Sequence, residues 1–185
     1  MSAQDTKELL TAGTWTIDQS HSEVGFTVRH LGIAKVRGRF QTFAGTLSIG
    51  EDQLASSVSA TVDLTSIDTN NKQRDGHLQS ADFFGVDENP TMTFESTEVT
   101  EHSLAGNLSI NGVTKPVVFS LGFHGVTTDP YGATRSGFSA AGEILRSEFG
   151  ISFNAPAGLD GMLVSDKVTI ELEVGRHVRH RDWNT

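Results

Sequence analysis

Hydrophobic and polar residues alternate with period two from one end of the chain to the other. Val24, Phe26 and Val28 are interleaved with Glu23, Gly25, Thr27 and Arg29, and Leu47 and Ile49 with Thr46 and Ser48. Val58, Ala60, Val62 and Leu64 alternate with Ser57, Ser59, Thr61 and Asp63, and Met92 and Phe94 with Thr91, Thr93 and Glu95. Further runs carry Leu108 and Ile110, then Val117, Phe119, Leu121 and Phe123, then Phe138, Ala140, Gly142 and Ile144. Val168, Ile170, Leu172 and Val174 close the series against Glu171 and Glu173. Each run predicts a strand with one face buried and the other in water, the signature of antiparallel sheet. Asn111-Gly112 reads as a two-residue hairpin turn, Asp129-Pro130-Tyr131-Gly132 as a longer turn, and Gly50-Glu51-Asp52 as a separator. Roughly eight strands with mostly short links predict an all-β up-and-down barrel or a sandwich.

Two stretches break the alternation. Thr69 to Ser80 is polar and predicts a short helix in the 70–80 segment, leading to an apolar tip at Ala81-Asp82-Phe83-Phe84. Ser147 to Phe153, followed by Asn154-Ala155-Pro156-Ala157-Gly158, reads as a long loop. Both are candidate lids, since loops on a rigid scaffold often carry binding residues.

Composition narrows the function. The 185 residues suit one domain, with a poorly ordered N-terminus at 1–13, a barrel at 14–175 and a polar tail at 176–185. Nineteen dispersed glycines fit a sheet with many bends. A formal net charge of −9 opposes nonspecific binding of nucleic acid. No apolar run is long enough to span a membrane. With no Cys there is no disulfide framework and no thiolate chemistry. The first ten residues lack the basic and apolar regions of a secretory signal, so a cytoplasmic location is expected.

Reactive groups are scattered. The chain has no Gly-x-Ser-x-Gly elbow, His-Glu-x-x-His pair, Walker loop or dinucleotide fingerprint. Ser20-His21-Ser22 reads as turn and capping chemistry, Arg74-Asp75 with His77 as a structural tie, and Arg146 with Glu148 as a charged strand end. His177, His180 and Asp182 supply half a metal site without a third ligand at fixed spacing, so no metal site is expected. The aromatic set is more informative. Phe occurs 11 times, with Phe26, Phe94, Phe119, Phe123 and Phe138 on the inward phase. The small inward residues Ala60, Ser96, Gly106, Ala140 and Gly142 suggest unfilled volume, and an eight-stranded barrel is wide enough to hold one small ligand.

The ordered motifs then resemble one family. Trp15-Thr16-Ile17-Asp18, His21-Ser22, Gly38-Arg39-Phe40, Ile67-Asp68-Thr69, Arg74-Asp75-x-His77-Leu78, Pro90-x-Met92-x-Phe94, Gly106 to Val117 and Arg146 to Gly150 are similar to the YceI-like, or polyisoprenoid-binding, proteins. The resemblance implies a lipocalin-like antiparallel barrel of eight strands whose apolar interior takes an isoprenoid lipid, a polyprenyl chain or a prenylquinone tail. On that basis the expected function is non-catalytic binding, storage or transport. The expected lining is Phe26, Val28, Leu47, Val62, Met92, Phe94, Phe119, Leu121, Phe138, Ala140, Ile170 and Leu172. Phe83, Phe84 and Phe149 are expected near one end, with Arg74 and His77 as headgroup candidates. No cofactor is expected beyond the bound lipid, and exposed strand edges leave room for a homodimer. Two alternatives stay open: an isomerase or hydrolase using His21, His77 or Arg74 on a hydrophobic substrate, and a ligand-free structural or stress module with a solid core.

Overall fold

The computed structural model describes residues 13–30, 34–49, 56–128, 134–153 and 164–178. The turns expected at 50–52 and 129–132, the stretch 154–158 and most of both termini lie outside these residues. Eleven strands are observed among the described residues: β1 (Gly13–Ile17), β2 (Glu23–His30), β3 (Ala34–Phe40), β4 (Phe43–Ile49), β5 (Ser57–Asp63) and β6 (Ile67–Asp68). They continue as β7 (Thr91–Val99), β8 (Ser103–Ile110), β9 (Val113–Thr128), β10 (Thr134–Leu145) and β11 (Val164–Val178). The one α-helix among the described residues, α1 (Lys72–Gln79), falls in the segment expected to hold it.

Eleven strands reduce to eight around the barrel, because three long strands are each broken once. β1 and β2 both pair with β11, Ile17 opposite Arg176 and Glu23 opposite Glu173, with the 3-10 turn Gln19–His21 between them. β4 and β3 run beside them and break at Gln41-Thr42, while β5 and β6 follow and break at the 3-10 turn Leu64–Ser66. With each broken pair counted as one, every strand pairs antiparallel with its neighbours in sequence and β11 returns to β1. The fold is therefore an all-β, up-and-down barrel, and the sandwich alternative falls away. β11 runs on to Val178, three residues past the expected barrel boundary.

Local chemistry explains the breaks and turns. Asp18 caps the 3-10 turn by accepting from the Ser20 N–H, and Asp63 does the same for Thr65. Asn111 and Gly112 adopt φ of 55° and 75°, the two left-handed residues that a tight hairpin between β8 and β9 requires. Asn71 caps α1 by accepting from the Arg74 N–H, and Thr69 donates its N–H to Asp75 at 2.9 Å.

The two ends of the barrel are closed differently. β6 pairs only with β3, and the chain then passes through α1 and the 80–90 segment before β7. That insertion places Phe84 edge-on to Phe40 at 6.1 Å, and Phe40 lies 5.7 Å from Phe26. The 3-10 turn Arg146–Phe149 adds Phe149, which is 1% exposed. Leu64, Ile67, Ile110 and Ile151 complete a filled core at this end.

Candidate functional site

Toward the other end the inward side chains surround a cavity of ≈ 90 Å³. Its apolar wall is drawn from nine of these strands, β1, β2, β4, β5 and β7 to β11: Ile17, Val24, Phe43, Ala44, Val58, Ala60, Val62, Met92, Phe94, Leu104, Leu108, Phe119, Phe138, Ile170, Leu172 and Val174. The polar residues that border it are Ser22, Thr93, Glu23 and Glu173. Glu23 and Glu173 are exposed, and with Thr93 they sit on the outward phase of their strands, so they present backbone to the interior. Ser22 Oγ is occupied, donating to the Gly175 carbonyl at 3.1 Å and accepting from the Gly175 N–H at 3.0 Å. No His, Lys or Arg among the described residues lines the cavity.

Of the expected lining, Val62, Met92, Phe94, Phe119, Phe138, Ile170 and Leu172 border the cavity. Leu47 packs beside it against Ile17, Val58 and Phe138. Phe26, Leu121 and Ala140 belong to the filled core, and Val28 is half-buried on β2 without touching the void. Phe84 and Phe149 pack in the filled end, while Phe83 joins an edge-on ring cluster with His77 and Phe153 at 5.1 and 5.4 Å. The Phe123 side chain lies outside the described residues. Ile17, Val24, Phe43, Ala44, Val58, Leu104, Leu108 and Val174 complete the wall without having been expected there. Val24, Val58, Leu108 and Val174 share the inward phase of runs already recognised, so extending each phase along its strand would have found them.

The small inward residues do not leave the vacancy their size suggested. A Cβ on Gly106 would collide with Phe94 Cζ and lie 2.5 Å from the Glu95 carbonyl. A Cβ on Gly142 would lie 2.7 Å from Phe119 Cδ1. At both glycines a neighbouring ring, Phe94 or Phe119, occupies the space that a side chain would take. Ala140 is buried and Ser96 Oγ accepts from the Val58 N–H, so of the small set only Ala60 faces the void.

The polar candidates sit elsewhere. Arg74 is exposed and donates from Nε to Thr69 Oγ1 at 2.8 Å and from Nη2 to the Thr69 carbonyl at 2.6 Å. His77 pairs with Asp82 at 3.0 Å. Neither borders the cavity, so the expected headgroup contacts are not assembled there. His21 hydrogen-bonds Asp18 through Nδ1 at 2.6 Å with its side chain 61% exposed, and Ser20 Oγ bonds both residues. That arrangement is turn capping, as the sequence suggested. Arg146 was read as a solvated or structural strand end, and it is buried. It donates to the carbonyls of Ile151, Phe153, Val164 and Ser165 at 2.8–3.2 Å. Burial lowers its pKa, and the nearby Asp166 carboxylate opposes that shift.

A closed antiparallel barrel around an apolar void, bordered by no His, Lys or Arg of the described residues, defines a class of small hydrophobic-ligand barrels. Within that class the chain belongs to the YceI-like domain family, which matches residues 15–175. It is 37% identical over 159 residues to a UPF0312 protein of Staphylococcus epidermidis, covering 85% of this chain and 93% of that one. A UPF0312 protein of Pseudomonas aeruginosa is 39% identical over 150 residues, covering 77% and 78%. Among solved structures, the Campylobacter jejuni YceI protein superposes with a TM-score of 0.69 at 30% identity, over 88% of this chain and 96% of that one. A polyisoprenoid binding domain from Saccharophagus degradans shares the fold with a TM-score of 0.67 at 14% identity, over 89% and 98%.

Proposed function

We propose that this protein binds an isoprenoid lipid, through its polyprenyl chain or prenylquinone tail, and stores or carries it without chemistry. The observation that carries the reading is the void of ≈ 90 Å³ walled by apolar side chains in a YceI-like barrel. The Saccharophagus degradans domain of the same fold is described as polyisoprenoid-binding, which points to the same ligand class. Burying each methylene contributes about 0.8 kcal/mol, so a five-carbon unit gains roughly 3 kcal/mol or more without a polar contact. With no His, Lys or Arg among the described residues at the wall, this reading places recognition on the hydrocarbon rather than on a headgroup.

Against the enzyme alternative, its named candidates His21, His77 and Arg74 each bond other partners and none of the three borders the cavity. The void itself argues against a solid-cored interaction module. Extraction of the purified protein with organic solvent, followed by mass spectrometry, is expected to release an isoprenoid. A clean extract together with no uptake of added prenylquinone overturns the reading.

A further inference from the structure

We propose that the outer face of the β2–β3 ribbon docks the protein on an anionic membrane surface, an inference that rests on the binding reading above. In a chain of net charge −9, residues 24–50 hold four of the 14 Lys and Arg and not one Asp or Glu. The strand register sets all four cations on one face. Arg29 lies opposite Lys35, Thr27 opposite Arg37 and Gly25 opposite Arg39, while Val36 and Phe40 take the other phase. All four cations are exposed. Arg39 meets Asp68 at 3.4 Å, whereas Arg29, Lys35 and Arg37 form no ion pair among the described residues.

The arrangement works against the fold. Like charges directly opposite on neighbouring strands repel, and Arg29 has Lys35 opposite and Arg37 on the diagonal. Edge protection explains part of it. Residues 34–38 pair only with β2, because β6 covers Arg39 and Phe40 alone, and cations on such an edge block pairing with another chain. It does not explain Arg29, since β2 is paired on both sides, with β11 and β3. The acids gather at the other end of the same strand, where Glu23 lies opposite Glu173 and Gly25 opposite Glu171. A polyprenyl chain resides in a bilayer, so its carrier meets it at a lipid surface. A protein of net charge −9 is repelled by an anionic leaflet unless it turns a cationic face toward it. This face is a strand surface rather than a cleft, with the small Gly25 and Thr27 beside the cations, and it suits an extended layer of headgroup charge. Val24, on the inward side of β2, borders the cavity, so the docking face is the outer side of a wall that holds the ligand.

The test is flotation of the purified protein with vesicles of phosphatidylcholine containing about a third phosphatidylglycerol, and with vesicles of phosphatidylcholine alone. Wild type is expected to float with the anionic vesicles and not with the neutral ones, and to be released at about 0.5 M salt. Each cation near such a surface is worth about a fivefold gain in partition. Arg29→Gln, Lys35→Gln and Arg37→Gln combined are therefore expected to weaken binding about a hundredfold. Lys115→Gln, an exposed cation on β9, is expected to leave it unchanged. The triple variant removes repulsion from an exposed face and is expected to fold, which its urea midpoint checks. No flotation of wild type with the anionic vesicles overturns the docking, as does full binding by the triple variant or a comparable loss in Lys115→Gln. Tighter binding of duplex DNA than of the anionic vesicles at the same salt also overturns it and assigns the face to nucleic acid. Solvent extraction stays independent of these arms. An isoprenoid in the extract with no flotation removes the docking alone, whereas a clean extract with no uptake of prenylquinone removes the binding reading whatever the flotation shows.

Discussion

Inward residues of the same kinds line both regions of the barrel, yet in one Phe26, Phe40 and Phe84 stack beside the buried Phe149, and in the other Ile17, Val58, Phe138 and Val174 border a void. The strands alternate in the same way in both regions, so alternation does not set the difference. What differs is the material between strands. The filled end receives two insertions, residues 64–90 with α1 and residues 146–153 with the 3-10 turn, and each delivers an aromatic ring into the core. At the cavity end, β7 and β8 are joined by the tight turn Thr100–His102, which delivers none. Among the described connections, those at the filled end insert rings into the core and the one at the cavity end does not.

Arg146 offers the largest way to break that contrast. Its guanidinium binds both sides of the segment that follows it, the Ile151 and Phe153 carbonyls on one side and Val164 and Ser165 on the other. Arg146→Ala leaves these acceptors without their donor and frees the turn that holds Phe149, so a loss of about 3–5 kcal/mol is expected. Urea denaturation measures it, and a loss under about 1 kcal/mol would show that the clamp does not secure the filled end. A matched pair of truncations sharpens the comparison. Phe149→Ala, at a site 1% exposed, is expected to cost about 3–5 kcal/mol. Phe138→Ala, half-buried beside an existing void, is expected to cost about 1–2 kcal/mol, because less packing is lost there. Equal costs by the same denaturation would mean that the two ends are packed alike.

Much of this architecture was legible in the residues, and the exceptions share a cause. The Asn111-Gly112 hairpin, the helix near 72–79 and the inward phase of each strand follow from local pattern and turn chemistry. Eleven strands are observed where eight were expected, because β1, β3 and β6 each continue a longer strand past a short break at residues 19–21, 41–42 or 64–66, and none of the three showed a clear alternating run of its own. About half of the cavity wall lay in the expected set. Phe26 and Ala140 have the right phase but sit at the wrong depth, and depth depends on strand tilt and on neighbours from distant segments. Gly106 and Gly142 looked vacant because a sequence does not show which ring will lie across a glycine. Arg146 read as either solvated or structural, and the choice could not be made locally because its carbonyl acceptors come from residues 5 to 19 positions further on. Vacancy and buried charge are long-range properties, and one-dimensional periodicity does not encode them.

The smallest expected effect concerns the same clamp from its solvent side. Ser147 donates its hydroxyl at 2.7 Å and its backbone N–H at 2.8 Å to the Asp166 carboxylate, and these bonds hold the Asp166 pKa below its ordinary value, with the Arg146 charge adding to them. The folded carboxyl therefore binds its proton at lower pH than the unfolded one. The stabilisation is complete above the ordinary aspartate value of about 3.9 and is lost as pH falls through the folded value. Asp166 is exposed, so solvent screening limits the effect to under about 1 kcal/mol. Asp166→Asn is expected to lower the urea midpoint slightly at about pH 6, with the gap to wild type closing below about pH 4. A gap of constant size across that range would mean that the carboxylate charge contributes nothing to the clamp and that Ser147 alone shapes the turn.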